Sequence, residues 1–272
     1  MGDMTEGRPA PLRPLGVAEI LDGAVRLVHR NARGALALSA PFAVVRAAVA
    51  GFLSYETLGS SGAASLSVLG SLLLAVLFGT LLTGLLTPMF SSDLLGTKVS
   101  ASGSLRRVGA RGLPLLLLSC IATVAEGGGL IALVVGGVWL WGIWAVAAPV
   151  FVAERTGVFD ALRRSAQLVS GMFWRVWGIR AIGWLLTSVL NLLITLPFQV
   201  LASWAEGYNP FDTGSSVHNA GLYVTLIEIG GVIAATLIAP VSSAIDVLLY
   251  TDLRMRKEGM DIVMTLPAVS AS

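Results

Sequence analysis

Residues 157–181 read GVFDALRRSAQLVSGMFWRVWGIRA, and their pattern decides the fold. Val158, Ala161, Leu162, Ala166, Leu168 and Val169 recur at helical spacing and form one apolar stripe. Asp160, Arg163, Arg164 and Gln167 occupy the other side, the arrangement of a helix lying on a membrane surface. Phe173, Trp174 and Trp177 then mark an interface, Arg175 and Arg180 are placed to reach headgroups, and a long apolar run follows. Shifted back by 141 positions, the stretch falls on GVAEILDGAVRLVHRNARGALALSA, which begins at Gly16. Gly16, Val17, Glu19, Leu21 and Leu27-Val28 then match Gly157, Val158, Asp160, Leu162 and Leu168-Val169.

Composition points the same way. The 272 residues are 55% hydrophobic and 12% charged, with a mean hydropathy of +0.82. A soluble domain carries about 25% charged residues, so folding in water would leave far too much apolar surface exposed. The solvent for most of the chain is lipid. A net charge of +2 gives no reason to invoke nucleic acid. The single cysteine, Cys120, lies in an apolar run, which excludes an internal disulfide or a thiolate metal site. His29 and His218 fall on opposite sides of the membrane in the layout below, so they share no metal, and no cofactor is expected. No short apolar segment with a small-residue cleavage site follows the basic start, as a secretory signal would require.

Taken in order, residues 1–14 hold three prolines and no periodicity and are expected to be a mobile cytoplasmic tail. Leu15 to about Arg33 is the first surface helix. Gly34 to about Thr57 is the first span, Leu66 to Phe90 the second, and the Gly/Ser/Ala-rich outer loop from Leu58 to Ser65 joins them. Ser91 to Gly112 is an inner polar segment in which SGSLRRVGARG resembles a shortened surface helix. The 41 residues from Leu113 to Ala153 suffice for two spans of ~20 residues. They divide into Leu113–Gly129 and Leu130–Val152, with the turn at Gly127-Gly128-Gly129 or at Gly136-Gly137. The fifth span is about Phe173 to Ala202, Ser203 to Asn219 is the longest outer loop, and the sixth span is Ala220 to about Tyr250. The rest of the chain is a charged inner segment, DLRMRKEGMD, and a short cytoplasmic tail, 259–272.

Of the 18 Lys and Arg residues, five lie in 1–33, four in 91–112, five in 154–180 and three after 250. Arg46 alone falls inside a span. All the rest sit on one side of a six-span chain, so the positive-inside rule puts both termini in the cytoplasm of a multi-pass cell-membrane protein. The expected fold is all-α, a single membrane domain over 15–258. Three repeated units, about 15–98, 99–156 and 157–258, each pair an inner-surface amphipathic helix with two spans. Near the inner end of each even span a proline is followed by an acid, in TPMFSSD (Thr87–Asp93), APVFVAE (Ala148–Glu154) and APVSSAID (Ala239–Asp246). All units run in the same direction, which implies a parallel repeat.

Charges in hydrocarbon are costly and mark candidate sites. Arg46, Glu126 and Glu228 reach similar depths when counted at about 1.5 Å per residue, which suggests one buried cluster. The cluster serves either as an ion pair that fixes helix packing or as a ligand or proton site. Thr80, Thr187 and Asn191 extend it or simply hydrogen-bond between helices. Pro88, Pro149 and Pro240 are candidate helix breaks, where freed carbonyls meet a ligand, or ordinary kinks. Arg30, Arg33, Arg106, Arg107, Arg163, Arg164 and Arg175 are expected to face lipid headgroups. No metal-spaced cluster or nucleophile elbow is present, so no catalytic residue is assigned.

Three stretches resemble one family: RPLGVAEILDGAVRL (Arg13–Leu27), AAPVFVAERTGVFDALRRSAQLVSGMFWRVWGI (Ala147–Ile179) and LLYTDLRMRKEGMD (Leu248–Asp261). With their spacing, they are similar to the bacterial glycerophosphoryl diester phosphodiesterase membrane-domain family, in its stand-alone actinobacterial form. The resemblance implies a multi-span helical membrane domain, which in some members precedes a soluble phosphodiesterase barrel. No such barrel, nor its metal-binding acids and histidines, appears before Ser272, so no catalytic residue carries over. The expectation is a non-catalytic membrane protein: a scaffold, anchor or accessory subunit of a cell-envelope process, in contact with membrane lipids and a protein partner. The alternative is a small transporter or lipid-handling protein that uses the Arg/Glu site. A cavity reaching the charges favours the alternative, and a dry, fully paired cluster favours the scaffold.

Overall fold

The computed structural model describes residues 15–57, 63–109, 111–132, 134–207 and 217–258. The two expected tails and most of the first outer loop lie outside the described residues. Those residues form ten helices and no strand: α1 (Val17–Arg30), α2 (Ala32–Thr57), α3 (Ala63–Leu94), α4 (Ala101–Gly109), α5 (Gly112–Ala132), α6 (Val134–Ile143), α7 (Ala147–Ala153), α8 (Val158–Val169), α9 (Phe173–Glu206) and α10 (Ala220–Glu258). Six stretches have the length and composition of membrane spans: α2, most of α3, most of α5, α6 and α7 together, α9 and α10. The protein is an all-α membrane protein.

The fold is organised around α10, which packs along α9, α2, α3 and α1. Its 39 residues make a rod of about 58 Å at 1.5 Å per residue, nearly twice the ~30 Å hydrocarbon thickness. The segment after Tyr250, read from sequence as a charged inner tail, therefore continues the last span as helix through Glu258. Much of the buried core gathers around the C-terminal half of α10. Leu249 and Leu253 of α10 are buried with Ile20 of α1, Leu86 and Phe90 of α3, Phe151 of α7, Leu168 of α8 and Ile179 of α9. Gly23 lets α1 approach α10 closely, since a Cβ there would stand 3.2 Å from Leu248.

Ion pairs, some with a buried carboxylate, hold the same region. Asp252, fully buried, accepts a hydrogen bond from the Leu15 amide at 2.8 Å and others from Arg175 at 3.2 Å and from Arg256 at 3.0 Å. Glu154 takes Arg164 at 3.1 Å and the Tyr250 hydroxyl at 3.1 Å. Arg164 also reaches Glu258, and Arg254 pairs with Glu258 at 2.9 Å. Arg30 pairs with Asp93 at 3.2 Å.

The turn between the third and fourth spans falls at neither expected glycine cluster. Gly127, Gly128 and Gly129 lie inside α5, and Gly136 and Gly137 lie inside α6. The glycines serve packing: a Cβ on Gly129 would stand 2.8 Å from the Gly137 amide nitrogen. Backbone cannot yield as a flexible side chain does, so Gly129→Ala is expected to destabilise the bundle by about 1–3 kcal/mol through overpacking. Thermal unfolding in detergent measures it, and an unchanged midpoint would contradict the close approach. The fourth span is itself broken, with a turn at residues 144–146 between α6 and α7.

The expected helix breaks are corrected at two of three prolines. Pro88 and Pro240 sit inside continuous α3 and α10. Pro149 lies in the first turn of α7, just after the break, where its missing N–H leaves no intrahelical bond unmade. Pro240 removes the donor for the Thr236 carbonyl four residues back, and the Ser39 hydroxyl of α2 donates to that carbonyl at 2.8 Å. The helix stays intact because a neighbouring hydroxyl repairs it. Ser39→Ala is expected to cost about 0.6–1.7 kcal/mol in the wild-type background. It should cost much less beside Pro240→Ala, which restores the helix's own donor. Equal losses in both backgrounds, in a double-mutant cycle of thermal stability, would sink the repair.

Candidate functional site: a two-lobed polar groove within the membrane

The outer lobe is a cavity of about 530 Å³ between α2, α3, α9 and α10. Arg46 enters it from α2 and Glu228 from α10, among Ser71, Ser188, Asn191, Thr195 and Gln199. Gly231 makes the space where the two charges meet. A Cβ there would lie 3.5 Å from Arg46 Nη2 and 3.6 Å from Glu228 Oε2. Arg46 makes no salt bridge or hydrogen bond with any described residue. It lines the cavity with its guanidinium donors unspent on any described residue. The lobe exists because α9 follows α10 while α2 and α3 pack on another side of it, leaving a gap floored by α10.

The inner lobe, about 440 Å³, lies between α3, α5, α6, α7, α9 and α10. Glu126 of α5, Arg180 of α9 and Asp246 of α10 face it. Arg180 Nε pairs with Asp246 at 3.3 Å. The same guanidinium donates to the Trp141 carbonyl and stacks 4.5 Å over the Trp141 ring. Ser165 of α8 caps the helix break from the other side, donating to the Ile143 carbonyl at 2.8 Å and accepting from the Val146 amide at 3.4 Å. A discontinuous helix at membrane depth is tolerated where side chains satisfy its backbone and a cavity borders it, and both conditions hold here. Glu126 is only 8% exposed and has no hydrogen-bond donor among the described residues. It stands in the field of Arg180 and Asp246.

The two lobes share a waist lined by Ala75, Gly79, Trp184, Thr187, Ala239 and Ser242. All but Trp184 have small side chains, which leaves the waist open, and Ser242 is exposed although it lies in the middle of α10. The structure thus brings Arg46 and Glu228 together and puts Glu126 in the neighbouring lobe, correcting the single three-charge cluster. Thr187 lies at the waist, Asn191 in the outer lobe and Thr80 in the inner.

Sequence reasoning missed Arg180 and Asp246 as members of the site. Arg180 was read as a headgroup contact, yet it stands seven residues inside α9, about 10 Å along the helix, and is largely covered. Asp246 was read only as a repeat acid near the end of the last span, but α10 continues twelve residues beyond it.

The headgroup-facing set also divides. Arg164 and Arg175 are corrected to inter-helix ties, through Glu154, Glu258 and Asp252. Arg30 pairs with Asp93, and Arg107 donates to the Ser92 hydroxyl at 3.3 Å. Arg33, Arg106 and Arg163 are exposed and make no such bond with described residues. Among the described residues no group of three His, Cys, Asp or Glu side chains is arranged to hold a metal ion. No family model, curated protein or solved structure matches the chain.

Proposed function

We propose that the chain is a small transporter or lipid-handling protein whose ligand docks in the groove between Arg46 and Glu228. The observation that carries this reading is an arginine at membrane depth, facing a cavity of about 530 Å³ with no partner within salt-bridge reach among the described residues. A guanidinium in hydrocarbon is retained where it is paired or where it serves a ligand or ion pathway, and its planar donors suit a carboxylate or phosphate group. Glu228 beside it offers an acceptor for a positive group on the same ligand. The scaffold reading calls for a dry, fully paired cluster, and the open groove weighs against it. The function proposed involves no covalent chemistry.

The finer layout belongs to the same proposal. Three repeated units, each a short inner-surface amphipathic helix and a helix pair, are supported by the series α1–α2–α3, α4–α5–α6/α7 and α8–α9–α10. They are supported too by the ion pairing of all three post-proline acids: Asp93 with Arg30, Glu154 with Arg164, and Asp246 with Arg180. Cytoplasmic termini in the plasma membrane rest on the one-sided cations. Membership of the glycerophosphoryl diester phosphodiesterase membrane-domain family rests on the three sequence stretches alone.

Native mass spectrometry of protein extracted from its own membranes tests the function. A co-purifying acidic or zwitterionic small molecule or lipid is expected on wild type and is expected to be lost in Arg46→Leu, with the fold retained by thermal melt. Identical bound species on both proteins would remove Arg46 from the site. A Cys at Ser242 that stays unreactive to a membrane-impermeant thiol reagent would remove the groove.

A further inference from the structure

Two of the three charges in the inner lobe cancel and the third has no counter-ion. Arg180 is committed to Asp246 at 3.3 Å, to the Trp141 carbonyl and to the Trp141 ring. Glu126 is 8% exposed, lines the cavity and receives no hydrogen bond from any described residue. The other elements that line the lobe, α3, α6 and α7, contribute no titratable side chain to it. If all three groups were ionised, the lobe would carry one net negative charge among apolar walls, an arrangement that surroundings of low polarity penalise strongly. One more positive charge is required. A metal cation takes several oxygen ligands, but the lobe's other carboxylate, Asp246, is already paired with Arg180 at 3.3 Å. A proton needs only Glu126.

We infer that Glu126 is a proton-exchanging carboxyl, loaded and unloaded through the inner lobe, and that proton binding there is coupled to the ligand in the outer lobe across the shared waist. The coupling has a short physical route: Thr187 and Ser242 face both lobes, so a ligand or its water reaching past Gly79 alters the surroundings of Glu126 directly. For its use, though not for the proton site itself, the inference rests on the reading of the groove as a ligand site. Its test needs no ligand, so the two stand or fall apart.

Infrared difference spectroscopy of the full chain in lipid nanodiscs, titrated with pH in sodium-free buffer, provides that test. The expected result is a carbonyl band of a protonated, weakly hydrogen-bonded carboxylic acid that titrates in wild type, persists in Arg46→Leu and vanishes in Glu126→Gln. Persistence in Glu126→Gln would assign the proton to Asp246 or Glu228 and overturn the inference. So would a band absent at every pH where the protein stays folded, or one that sodium abolishes at constant pH, the mark of a cation site. Should Glu126→Gln fail to fold, wild type is treated with a hydrophobic carbodiimide, which reacts with protonated carboxyls. A modified peptide carrying Glu126 would support the proton site, and an unmodified one would overturn it.

Discussion

Replacing Asp252 with alanine is expected to cost about 3–5 kcal/mol, the scale for removing one partner of a buried charge pair. The carboxylate is fully buried and joins three elements: the Leu15 amide just before α1, Arg175 at the start of α9, and Arg256 on its own helix. Arg175 and Arg256 also donate to the Leu15 carbonyl. Without Asp252, two guanidinium groups and the Leu15 amide lose the carboxylate that they share. Asp252→Asn keeps an acceptor for the Leu15 amide and loses the charge, so its loss should fall between wild type and alanine. Arg256→Ala leaves Arg175 in place and should cost about 1.5–3 kcal/mol, the range for a hydrogen bond to a charged group. Tryptophan fluorescence during thermal or denaturant unfolding in detergent ranks the series. An alanine variant within about 1 kcal/mol of wild type would mean that this hub contributes no more than a surface ion pair.

Arg180→Leu is expected to be comparably damaging, about 3–5 kcal/mol, for a different reason. The loss strands the Asp246 carboxylate without its cation, in a lobe that also holds Glu126, and leaves the Trp141 carbonyl, at the edge of a broken helix, without its donor. Removing the stranded charge should help, so Arg180→Leu with Asp246→Asn is expected to be more stable than Arg180→Leu alone. That sign is the decisive feature, because residues that shared no interaction would give additive losses. Arg180→Lys keeps the charge yet lacks the planar fork that reaches Asp246 and Trp141 together, and it should recover only part of the loss. Additive or worse behaviour in the double variant would show that the two residues do not act as a pair.

Much of this molecule is legible in one dimension. Lipid demands about 20 apolar residues per span and internal satisfaction of every backbone group. Six spans, their order and an all-α chain therefore follow from hydropathy and length alone. Depth is legible too, since each helical residue adds about 1.5 Å, and that is how Arg46, Glu126 and Glu228 stand out as costly charges. Arg180 and Asp246 were passed over because each stands close to a span end, where a charge is ordinary. DLRMRKEGMD reads as a charged inner tail because six of its ten residues are charged, a density that a solvated surface shares with a buried hub.

What sequence alone could not supply is direction around each helix axis, and hence which charges meet. That depends on which neighbours approach closely. Gly129 admits the α6 backbone at Gly137, and Gly231 leaves the space between Arg46 and Glu228. Ser39 repairs the helix that Pro240 would otherwise open. In the packed bundle Glu126 shares a lobe with Arg180 and Arg46 shares one with Glu228, and α9 packs on α10 rather than on α2 or α3, so a groove remains. Length and apolarity are properties of a segment and can be read from it. Partnership is a property of the packed bundle, where a single Cβ, present or absent, decides which faces touch.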